Sequence, residues 1–465
     1  MEERLEINRE SLKNKKVLVL GLAMTGMSVV RHLTDLGAFV TVNDIKPLEE
    51  NKEAQTLIEE NVRVIAGSHP VELLEEDFAF MVKNPGIPYS NPMVQAAQAK
   101  GLPVYTDIEL VGQLTSAEII GITGSNGKTT TASLTFQILE AATDLPGKNY
   151  LAGNIGLAAL DVALDAKASD RLVLELSSFQ LMGTCSFKPK IAAITNLYPT
   201  HLDYHGSIEG YLEAKWQITA QQEASDYLIL NADQEVLWDK RHETQAQVIP
   251  VSLTGQSREG AWYDRAHQRL MWREEAVVER DQVFIPGDHN VQNALVAMAI
   301  AKLLGVSNTA IQAACQSFHG VAHRMQFVLD YQGRRFYNDS KATNNNAAKT
   351  ALRSFQAPIV WVAGGLDRGL GLEDLKPELG QVKAMVVMGQ TADRFAKLAE
   401  DMEIPYVHAK NIEEATDLAY AQSQAGDVIL LSPACASWDQ YLNFEMRGER
   451  FVQAAKHLAQ SKKDH

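Results

Sequence analysis

The decapeptide GITGSNGKTT, residues 121–130, decides the fold of this chain. It follows the apolar pair Ile119-Ile120 and precedes apolar residues that recur at helical spacing from Leu134 onward. A strand, a glycine loop and a helix in this order predict an anion site, because free N–H groups and the positive end of the helix attract phosphate. Lys128 would reach the outer phosphates of a nucleotide, and Thr129 would offer its hydroxyl to Mg²⁺.

This glycine loop is shorter than the common phosphate-loop pattern. That pattern has a glycine five residues before Gly127, where this chain has Ile122, and the glycine here is Gly124. The alternative is a chance glycine-rich turn, but GKT at a strand-to-helix junction favours a nucleotide site. The residues predicted to bind the nucleotide phosphates are Gly124, Ser125, Asn126, Gly127, Lys128, Thr129 and Thr130.

Composition restricts the class of protein. A chain of 465 residues suggests about three domains, and 46% apolar with 22% charged residues is ordinary for a globular protein. A formal net charge of -15 argues against broad nucleic-acid binding. The three cysteines are far apart, as in a reducing cytosol. Residues 1–16 lack the apolar core of a signal peptide and no apolar run could cross a membrane, so we expect a cytoplasmic protein.

The N-terminal region alternates strands and helices in the manner of a Rossmann domain. The apolar run 17–20 leads into GLAMTG, residues 21–26, and a second strand ends at Asp44. Ala23 replaces the second glycine, where a dinucleotide pyrophosphate needs a bare backbone. The spacing to Asp44 still permits NAD, but we favour a nucleotide with a different phosphate pose. A structural βαβ unit without a ligand is the third interpretation.

Several polar side chains follow the central strands. Glu175 ends an apolar strand, on the sheet edge where ligands of parallel sheets bind, and is a candidate Mg²⁺ ligand. A glutamate there could instead cap a helix or face water. His201, Asp203 and His205 crowd the segment after the next strand and predict a site. Lys215 lies on a helical stretch, where a solvated surface lysine is the ordinary alternative.

The C-terminal third again alternates strands and helices. Before it, Asn290 and Asn293 share a face in the first turn of a helix, where amides either contact a base edge or cap the helix. Two polar stretches stand out, NDSKATN (338–344) and SPACASWDQYLNFEMRG (432–448). The predicted fold is α/β with a Rossmann-like N-terminal domain, a central P-loop mononucleotide-binding domain of ATPase type and a Rossmann-like C-terminal domain. Their predicted bounds are 1–114, 115–320 and 321–465.

The motifs together resemble those of the Mur ligase family, the ATP-dependent enzymes that add amino acids in peptidoglycan synthesis. Besides the loop TGSNGKT, the motifs in family order are GNIG (153–156), ELSSFQL (175–181), THLDYHGS (200–207), GDHNVQN (287–293) and HRMQ (323–326). The short loop is similar to the family's phosphate loop, which explains the missing glycine. NDSKATN and SPACASWDQ resemble the D-glutamate-adding members.

The resemblance implies a reaction and its partners. ATP would phosphorylate the L-alanine carboxyl of UDP-N-acetylmuramoyl-L-alanine, and the amine of D-glutamate would attack the acyl-phosphate. Cations must offset the repulsion between carboxylate and phosphate and stabilise the tetrahedral oxyanion. The family further implies two Mg²⁺ ions, a cytoplasmic monomer and small-molecule partners, without nucleic acid or membrane.

Residue roles follow from the same resemblance. Catalysis would involve Lys128, Glu175, His201 and Lys215. The Mg²⁺ ligands would be Thr129, Glu175, Ser177, His201 and Lys215, the last as a carbamylated lysine. ATP would further contact Asn290, Asn293, Arg324 and Asp339. The uridine diphosphate pocket would comprise Met24, Thr25, Asp44, Ile45, Lys46, Asn84 and Gly86, and the muramoyl group would touch Asn154, Gln180 and His201. D-glutamate would bind Lys341, Thr343, Arg368, Ser437, Trp438 and Phe444.

Arg368 departs from the family pattern, since some relatives have a lysine in this glycine turn and a guanidinium fork is not a point charge. Three other functions compete with the ligase. A folate-glutamylating relative is disfavoured by the Rossmann segment and NDSKATN. A NAD-dependent oxidoreductase leaves GSNGKT unexplained, and a non-catalytic nucleotide-binding module would bind ATP without D-glutamate-dependent phosphate release.

Overall fold

The computed structural model describes residues 5–369 and 371–461, with the side chains of Met24, Asp203 and Ser461 outside the description. The strands are β1 (Lys16–Leu20), β2 (Phe39–Asp44), β3 (Arg63–Ala66), β4 (Phe80–Lys83), β5 (Val104–Tyr105), β6 (Glu118–Thr123), β7 (Asn149–Gly153), β8 (Arg171–Glu175), β9 (Ile191–Ile194), β10 (Tyr227–Asn231), β11 (Gln247–Ser252), β12 (Ala261–Asp264), β13 (Arg269–Trp272), β14 (Glu275–Glu279), β15 (Gln326–Tyr331), β16 (Arg334–Asn338), β17 (Ile359–Gly364), β18 (Val382–Met388), β19 (Tyr406–His408) and β20 (Val428–Leu431).

The α-helices alternate with these strands. They are α1 (Met24–Asp35), α2 (Lys52–Glu59), α3 (Pro92–Ala99), α4 (Asp107–Leu114), α5 (Lys128–Ala141), α6 (Ala159–Ala163), α7 (Ser178–Leu181), α8 (Leu202–His205), α9 (Ile208–Trp216), α10 (Glu235–Trp238), α11 (Asp288–Leu303), α12 (Asn308–Ser317), α13 (Asn345–Arg353), α14 (Ala392–Asp401), α15 (Ile412–Ala421) and α16 (Phe444–Ser461). None of the helices in the described ranges combines the length and the apolar character needed to cross a bilayer.

The N-terminal sheet is fully parallel, in the order β3-β2-β1-β4-β5. The order reverses beside β1, so the loops after β1 and β4 flank a crevice at the carboxyl edge, where ligands of open α/β sheets bind. The apolar run Val17 to Leu20 is buried completely because helices cover both faces of the sheet. The Rossmann-like prediction for this region is confirmed.

The central sheet has nine strands in the order β14-β13-β12-β11-β10-β9-β6-β8-β7. Its pairings from β7 to β12 are parallel, and β6 lies between β9 and β8. Strands β12, β13 and β14 add an antiparallel edge. The sequence suggests a strand over Val277 to Val283, but β14 ends at Glu279 and a 3₁₀ turn, Arg280–Gln282, follows.

The C-terminal sheet has the order β15-β16-β20-β17-β18-β19. Only the β15–β16 hairpin is antiparallel, and the other pairings are parallel. Strand β17 is buried along its whole length, and its Trp361 donates its indole N–H to the Ser432 carbonyl at 2.8 Å. This bond fixes the segment after β20, where the second polar stretch begins.

The described chain divides into two compact units. The first runs to Glu279 and resumes at Gln292–Ala314, and it contains the N-terminal and central sheets. The second comprises Arg280–Val291 and the described residues from Cys315 onward, with the C-terminal sheet. The division crosses α11, so Asn290 belongs to the second unit and Asn293 to the first.

Candidate functional site

The glycine loop joins β6 to α5 as the sequence predicts. Gly124 has φ +145° and Gly127 has φ +80°, values that L side chains rarely adopt. A Cβ on Gly124 would lie 2.0 Å from Thr195 Oγ1, and one on Gly127 would lie 2.2 Å from Asn293 Oδ1. The positive φ values favour glycine at both positions, and the Thr195 and Asn293 side chains leave little room for a Cβ.

Two residues after β9 hold the loop in shape. Asn196 accepts the Asn126 N–H on its Oδ1 at 2.8 Å and donates from Nδ2 to the Asn126 carbonyl at 3.0 Å. Thr195 Oγ1 donates to the same carbonyl at 2.7 Å, and the Ser125 N–H donates to the Asn196 carbonyl at 2.9 Å. Sequence reasoning missed both residues, although their place after a strand that adjoins β6 was an available signal.

Lys128 and the start of α5 form the cationic side of the loop. The Lys128 ammonium donates to the carbonyls of Gly124 and Ser125, at 2.9 and 3.0 Å. The residue before α5 is Gly127, which has no side chain to cap the helix, and the positive helix end favours an anion there. Thr129 is buried at the first turn. This arrangement suits a polyphosphate.

Glu175 is the last residue of β8. In the parallel register it lies beside Ile122 of β6, the residue before Thr123. It is buried, and its Oε1 accepts the Asn154 Nδ2–H at 3.0 Å. Its Oε2 is buried and has no hydrogen-bond partner among the described residues. A buried carboxylate oxygen without a partner requires an explanation, and a bound cation supplies one.

Ser177 and Gln180 form a capping box at the start of α7. Ser177 Oγ accepts the Gln180 N–H at 3.2 Å, and Gln180 Oε1 accepts the Ser177 N–H at 3.0 Å. The Gln180 carbonyl also accepts Thr106 Oγ1–H at 2.6 Å, which ties α7 to the segment that precedes α4. Both candidate residues are thus held rigidly on the carboxyl side of β8.

An aromatic cluster surrounds His201. This histidine has φ +55° and is exposed, and its ring centroid lies 5.2 Å from that of Phe179. His205 stacks on Phe179 at 5.3 Å and its Nε2 lies 3.0 Å from Ser178 Oγ. The third polar residue of the segment, Asp203, has its side chain outside the described residues. His201 therefore faces solvent, whereas His205 is held by its neighbours.

Lys215 is buried, so the solvated-lysine interpretation is wrong. It is 1% exposed, its ammonium donates to the Gly124 carbonyl at 2.9 Å, and it lies 4.4 Å from the centre of the Tyr211 ring. Burial and, to a smaller extent, the nearby Lys128 charge lower the pKa of Lys215 to about 6. Since Lys128 also donates to this carbonyl, the loop brings the two lysines together.

The predicted uridine diphosphate residues lie at the carboxyl edge of the N-terminal sheet. Asp44 accepts the Leu22 N–H at 2.7 Å and the Lys46 N–H at 2.9 Å. Asn84 donates to Thr25 Oγ1 at 3.0 Å. Of the others, Gly86 donates its N–H to Asn84 Oδ1 at 3.1 Å, Ile45 is 59% exposed, and the Met24 side chain lies outside the described residues. The loops after β1, β2 and β4 are thus tied together.

The nucleotide residues of the second unit separate into exposed and buried groups. Arg324 is exposed, whereas Asn290 is buried and donates to the Pro286 carbonyl at 2.7 Å. Asp339 is buried and accepts from the Met325 N–H at 3.1 Å and from Ser432 Oγ at 2.8 Å. Burial raises the pKa of Asp339 to about 7.

The predicted amino-acid residues come from three chain segments. Thr343 and Arg368 line one cavity with Ala436, and the Arg368 guanidinium lies 4.9 Å from the centre of the exposed Trp438 ring. Ser437 Oγ is buried and has no hydrogen-bond partner in the described part of the chain. Lys341 and Phe444 lie together, with the ammonium 5.1 Å from the centre of the ring.

Arg447 is a buried cation that sequence reasoning missed. Its Nε donates to Ser340 Oγ at 3.0 Å, and its Nη2 donates to the carbonyls of Ser340 and Cys435 at 2.9 and 3.0 Å. Its Nη1 is buried and unpartnered within the described residues. Burial lowers the pKa of Arg447 to about 10. The available signal was an arginine in the second polar stretch, on the first turn of a helix.

Comparison with known protein families identifies the family of this chain. Three family models match successive segments: "Mur ligase MurD-like, N-terminal domain" at residues 15–106, "Mur ligase middle domain" at 122–301, and "Mur ligase, glutamate ligase domain" at 323–435. The chain is a Mur ligase. As a member of this family it is an ATP-dependent ligase, and the oxidoreductase and non-catalytic alternatives are wrong.

Full-length relatives agree with the family models. This Mur ligase is 50% identical over 450 residues to a UDP-N-acetylmuramoylalanine--D-glutamate ligase of Streptococcus pneumoniae, which covers 97% of this chain and 99% of the relative. It is 49% identical over 453 residues to the ligase of the same name from Lactiplantibacillus plantarum, at 97% and 98% coverage.

Solved structures show the same fold. The UDP-N-acetylmuramate-alanine ligase of Thermotoga maritima superposes with a TM-score of 0.56 at 18% identity, covering 95% of this Mur ligase and 99% of that chain. At this identity the likeness concerns the fold alone, and it confirms the predicted three-domain α/β architecture.

Proposed function

We propose that this Mur ligase adds D-glutamate to UDP-N-acetylmuramoyl-L-alanine in peptidoglycan precursor synthesis, consuming ATP and releasing ADP and phosphate. The observation that carries the proposal is the 50% identity over 450 residues with a relative of that name. Residues 1–114 would bind the UDP-sugar, 115–320 the ATP and 321–465 the D-glutamate. The enzyme would act in the cytoplasm as a monomer.

The first step is phosphoryl transfer to the L-alanine carboxylate. Both the nucleophile and the γ-phosphate are negative, so they approach only where positive charge offsets their repulsion. The Lys128 ammonium and the N–H groups that begin α5 supply that charge from the protein. The hydrogen bonds of Thr195 and Asn196 to the loop backbone hold the loop in one shape before ATP arrives.

The donor groups of the central sheet fit Mg²⁺. Among the described residues no cluster of three or more His, Cys, Asp or Glu side chains is placed to hold a metal, and Mg²⁺ beside phosphates commonly takes one or two carboxylates with substrate oxygens. The unpartnered Glu175 Oε2, with Thr129 and Ser177, would hold one ion. His201 and a modified Lys215 would serve a second. Bound Mg²⁺ would neutralise phosphate charge during transfer.

Lys215 would serve the second ion as a carbamate. A neutral amine attacks the carbon of CO₂, a C–N bond forms, one proton is released and the product is an anion with two oxygen ligands. The pKa of Lys215, about 6, leaves the amine neutral at physiological pH. An unmodified ammonium would be repelled by the cations that surround it.

The second step is attack by the D-glutamate amine on the acyl-phosphate carbon. The amine loses a proton, the tetrahedral oxyanion collapses and phosphate leaves with its electron pair, which gives an amide. Two substrate carboxylates require cations and hydrogen-bond donors, which Lys341, Thr343, Arg368 and Ser437 would provide. Arg447 adds a buried charge behind Ser340 that holds this pocket together.

The test is phosphate release measured with UDP-N-acetylmuramoyl-L-alanine and ATP, in the presence and absence of D-glutamate, with the product identified by mass spectrometry. We expect stoichiometric release only with all three substrates and a product heavier by one glutamate residue. Equal release with another amino acid in place of D-glutamate would assign this chain to a different branch of the family.

A further inference from the structure

Lys83, the last residue of β4, is a buried cation without a part in the reaction proposed above. Its side chain is 1% exposed, and its ammonium donates to the carbonyl of Ile87 at 2.9 Å and to that of Pro85 at 3.4 Å. It also lies 4.6 Å from the centre of the Tyr89 ring. A buried charge is costly to desolvate, and an apolar side chain of similar size would fill this space at less cost.

The Lys83 ammonium closes the turn of residues 84–88 from inside the protein. Within this turn the Ile87 N–H donates to the Asn84 carbonyl at 3.0 Å, and the Gly86 N–H donates to Asn84 Oδ1 at 3.1 Å. Asn84 also donates to Thr25 on α1. Since Asn84 and Gly86 are proposed UDP contacts, the shape of the UDP pocket depends on the bonds that Lys83 makes.

The same turn contacts the central domain. Tyr204 on α8 donates its hydroxyl to the Ile87 carbonyl at 3.3 Å, and the Tyr89 hydroxyl donates to the Met182 carbonyl at 3.1 Å. The Tyr204 ring packs against Phe179 at 4.5 Å, in the aromatic cluster around His201. The Ile87 carbonyl therefore accepts from Lys83 on one side and from Tyr204 on the other.

Asp107, the first residue of α4, faces Lys83. It is 3% exposed, and its Oδ1 is buried with no partner in the described ranges. Burial lowers the pKa of Lys83 to about 8, and the Asp107 charge opposes that shift. Burial raises the pKa of Asp107 to about 6. The other ionisable groups here, Tyr89 and Tyr204, have raised pKa values and stay neutral at physiological pH.

We propose that Lys83 is a positioning residue for the UDP-sugar: its ammonium holds the turn of residues 84–88 in the shape that receives the UDP group and links that turn, through the Ile87 carbonyl, to helix α8. The inference rests on the proposed function. The inference adds that two features depend on one buried charge. They are the binding of the UDP-sugar in the N-terminal domain and the position of the His201 segment in the central domain.

The first experiment is Lys83→Met, a change that keeps the aliphatic volume and removes the charge. Calorimetric titration with UDP-N-acetylmuramoyl-L-alanine should give a Kd roughly 10-fold higher, the size expected for loss of a charge-assisted hydrogen bond. The KM values for D-glutamate and ATP should stay within about 2-fold of wild type. Lys100→Met is the matched control, because Lys100 is exposed in the same domain and also donates to a carbonyl, that of Leu74.

The second experiment measures the same Kd against pH, between about 6.5 and 8.5. Wild-type affinity should fall as the pH rises through the pKa of Lys83, about 8. Asp107→Asn should move that fall to lower pH, since removing the negative charge lowers the pKa of Lys83 further. Lys83→Met should show no such fall. A lysine with a purely structural role would give no such changes in the pH dependence of the Kd. If Lys83→Met fails to fold, the pH profile of Asp107→Asn decides the question.

The outcomes separate the inference from the proposed function. The positioning role would be overturned if Lys83→Met bound the UDP-sugar with the wild-type Kd. It would also be overturned if Asp107→Asn showed the wild-type pH profile. Either result would leave the ligase reaction intact. A wild-type chain that neither binds nor consumes the UDP-sugar would overturn the proposed function as well.

Discussion

The phosphate loop of the first unit and the amino-acid pocket of the second are built in opposite ways. The loop is one contiguous segment, residues 124–130, whose backbone conformation requires two glycines and which is predicted to bind phosphate through backbone N–H groups and the start of α5. The predicted pocket is assembled from distant segments, around residues 343, 368 and 436, which line one cavity, and most of its predicted binding groups are side chains. Backbone recognition of phosphate leaves a short pattern in the sequence, whereas recognition by converging side chains leaves scattered polar residues.

Each unit also contains a buried ionisable group with a strongly shifted pKa. Burial lowers the pKa of Lys215 to about 6 in the first unit and raises that of Asp339 to about 7 in the second. The directions differ because the neutral form is favoured in both cases, and that form is the base for lysine and the acid for aspartate. Both shifts make folding stability depend on pH, and the first also leaves the Lys215 amine neutral and able to react.

The largest effect should come from removing the charge of the contiguous loop. Lys128→Ala should lower kcat by about 100-fold or more, the usual cost of one lost charge-stabilising contact. Binding of the UDP-sugar, measured by calorimetry, should stay unchanged because its predicted pocket lies in another sheet. Lys397→Ala, an exposed lysine on α14, is the control. Near-normal turnover in Lys128→Ala would remove the loop from the mechanism.

The next effect concerns the buried amine. Lys215→Ala should be nearly inactive, and added acetate or formate should restore part of the rate, because a small carboxylate can replace the carbamate oxygens. Lys215→Arg should stay inactive with or without these ions, since a guanidinium does not take up CO₂ in this way. Steady-state rates with increasing acetate measure this, and full activity in Lys215→Arg would disprove the carbamate.

A smaller effect is expected in the assembled pocket. Ser437→Ala should raise the KM for D-glutamate roughly 10-fold, as for one lost hydrogen bond to a charged group, and leave the KM for the UDP-sugar within about 2-fold. The reason is that the buried Ser437 Oγ has a hydrogen bond left to give within the described structure. Ser317→Ala, at the exposed end of α12, should change neither constant. If Ser437→Ala instead raised the KM for the UDP-sugar and left that for D-glutamate unchanged, the substrate assignments of the two domains would have to be exchanged.

The smallest effect is thermodynamic. Because the native pKa of Asp339, about 7, exceeds the ordinary aspartate value of 3.8, the folded chain binds more protons than the unfolded chain between these values. Its contribution to stability is therefore complete at low pH and is lost as the pH rises toward 7. Asp339→Asn should flatten the decline of Tm between about pH 5 and about 7. An identical pH slope in the variant would contradict the shifted pKa.

Much of the fold could be predicted from the sequence. Buried parallel strands are continuous apolar runs, as in Val17 to Leu20 and Ile359 to Val362, and the glycine loop fixes the position of β6. The antiparallel pair β13 and β14 was less visible, because short strands such as the edge strand β14, Glu275–Glu279, mix polar and apolar residues. The bounds of the domains stay a prediction, since contacts alone divide the chain into two units.

The candidate site was predictable where residues lie in a motif and unpredictable where they act through the fold. Lys128 belongs to the contiguous glycine-loop motif at the start of α5, and Glu175 stands at the end of β8, on the edge where the strands of a parallel sheet align. Asn196 and Arg447 gave only a weak signal, a position after β9 and one on the first turn of α16, because their importance comes from an amide and a guanidinium placed against a distant backbone. The burial of Lys215 was equally hidden, since a helix in sequence does not show which face the sheet covers.

The central claim is that ATP activates the L-alanine carboxyl of the UDP-sugar as an acyl-phosphate before D-glutamate attacks. The direct measurement uses UDP-N-acetylmuramoyl-L-alanine whose terminal carboxylate is labelled with heavy oxygen, followed by mass analysis of the released phosphate. In an acyl-phosphate mechanism one carboxylate oxygen leaves with the phosphate, so each phosphate formed should carry one labelled oxygen atom. Unlabelled phosphate, with the lost carboxylate oxygen found instead in water or in the nucleotide product, would contradict the mechanism.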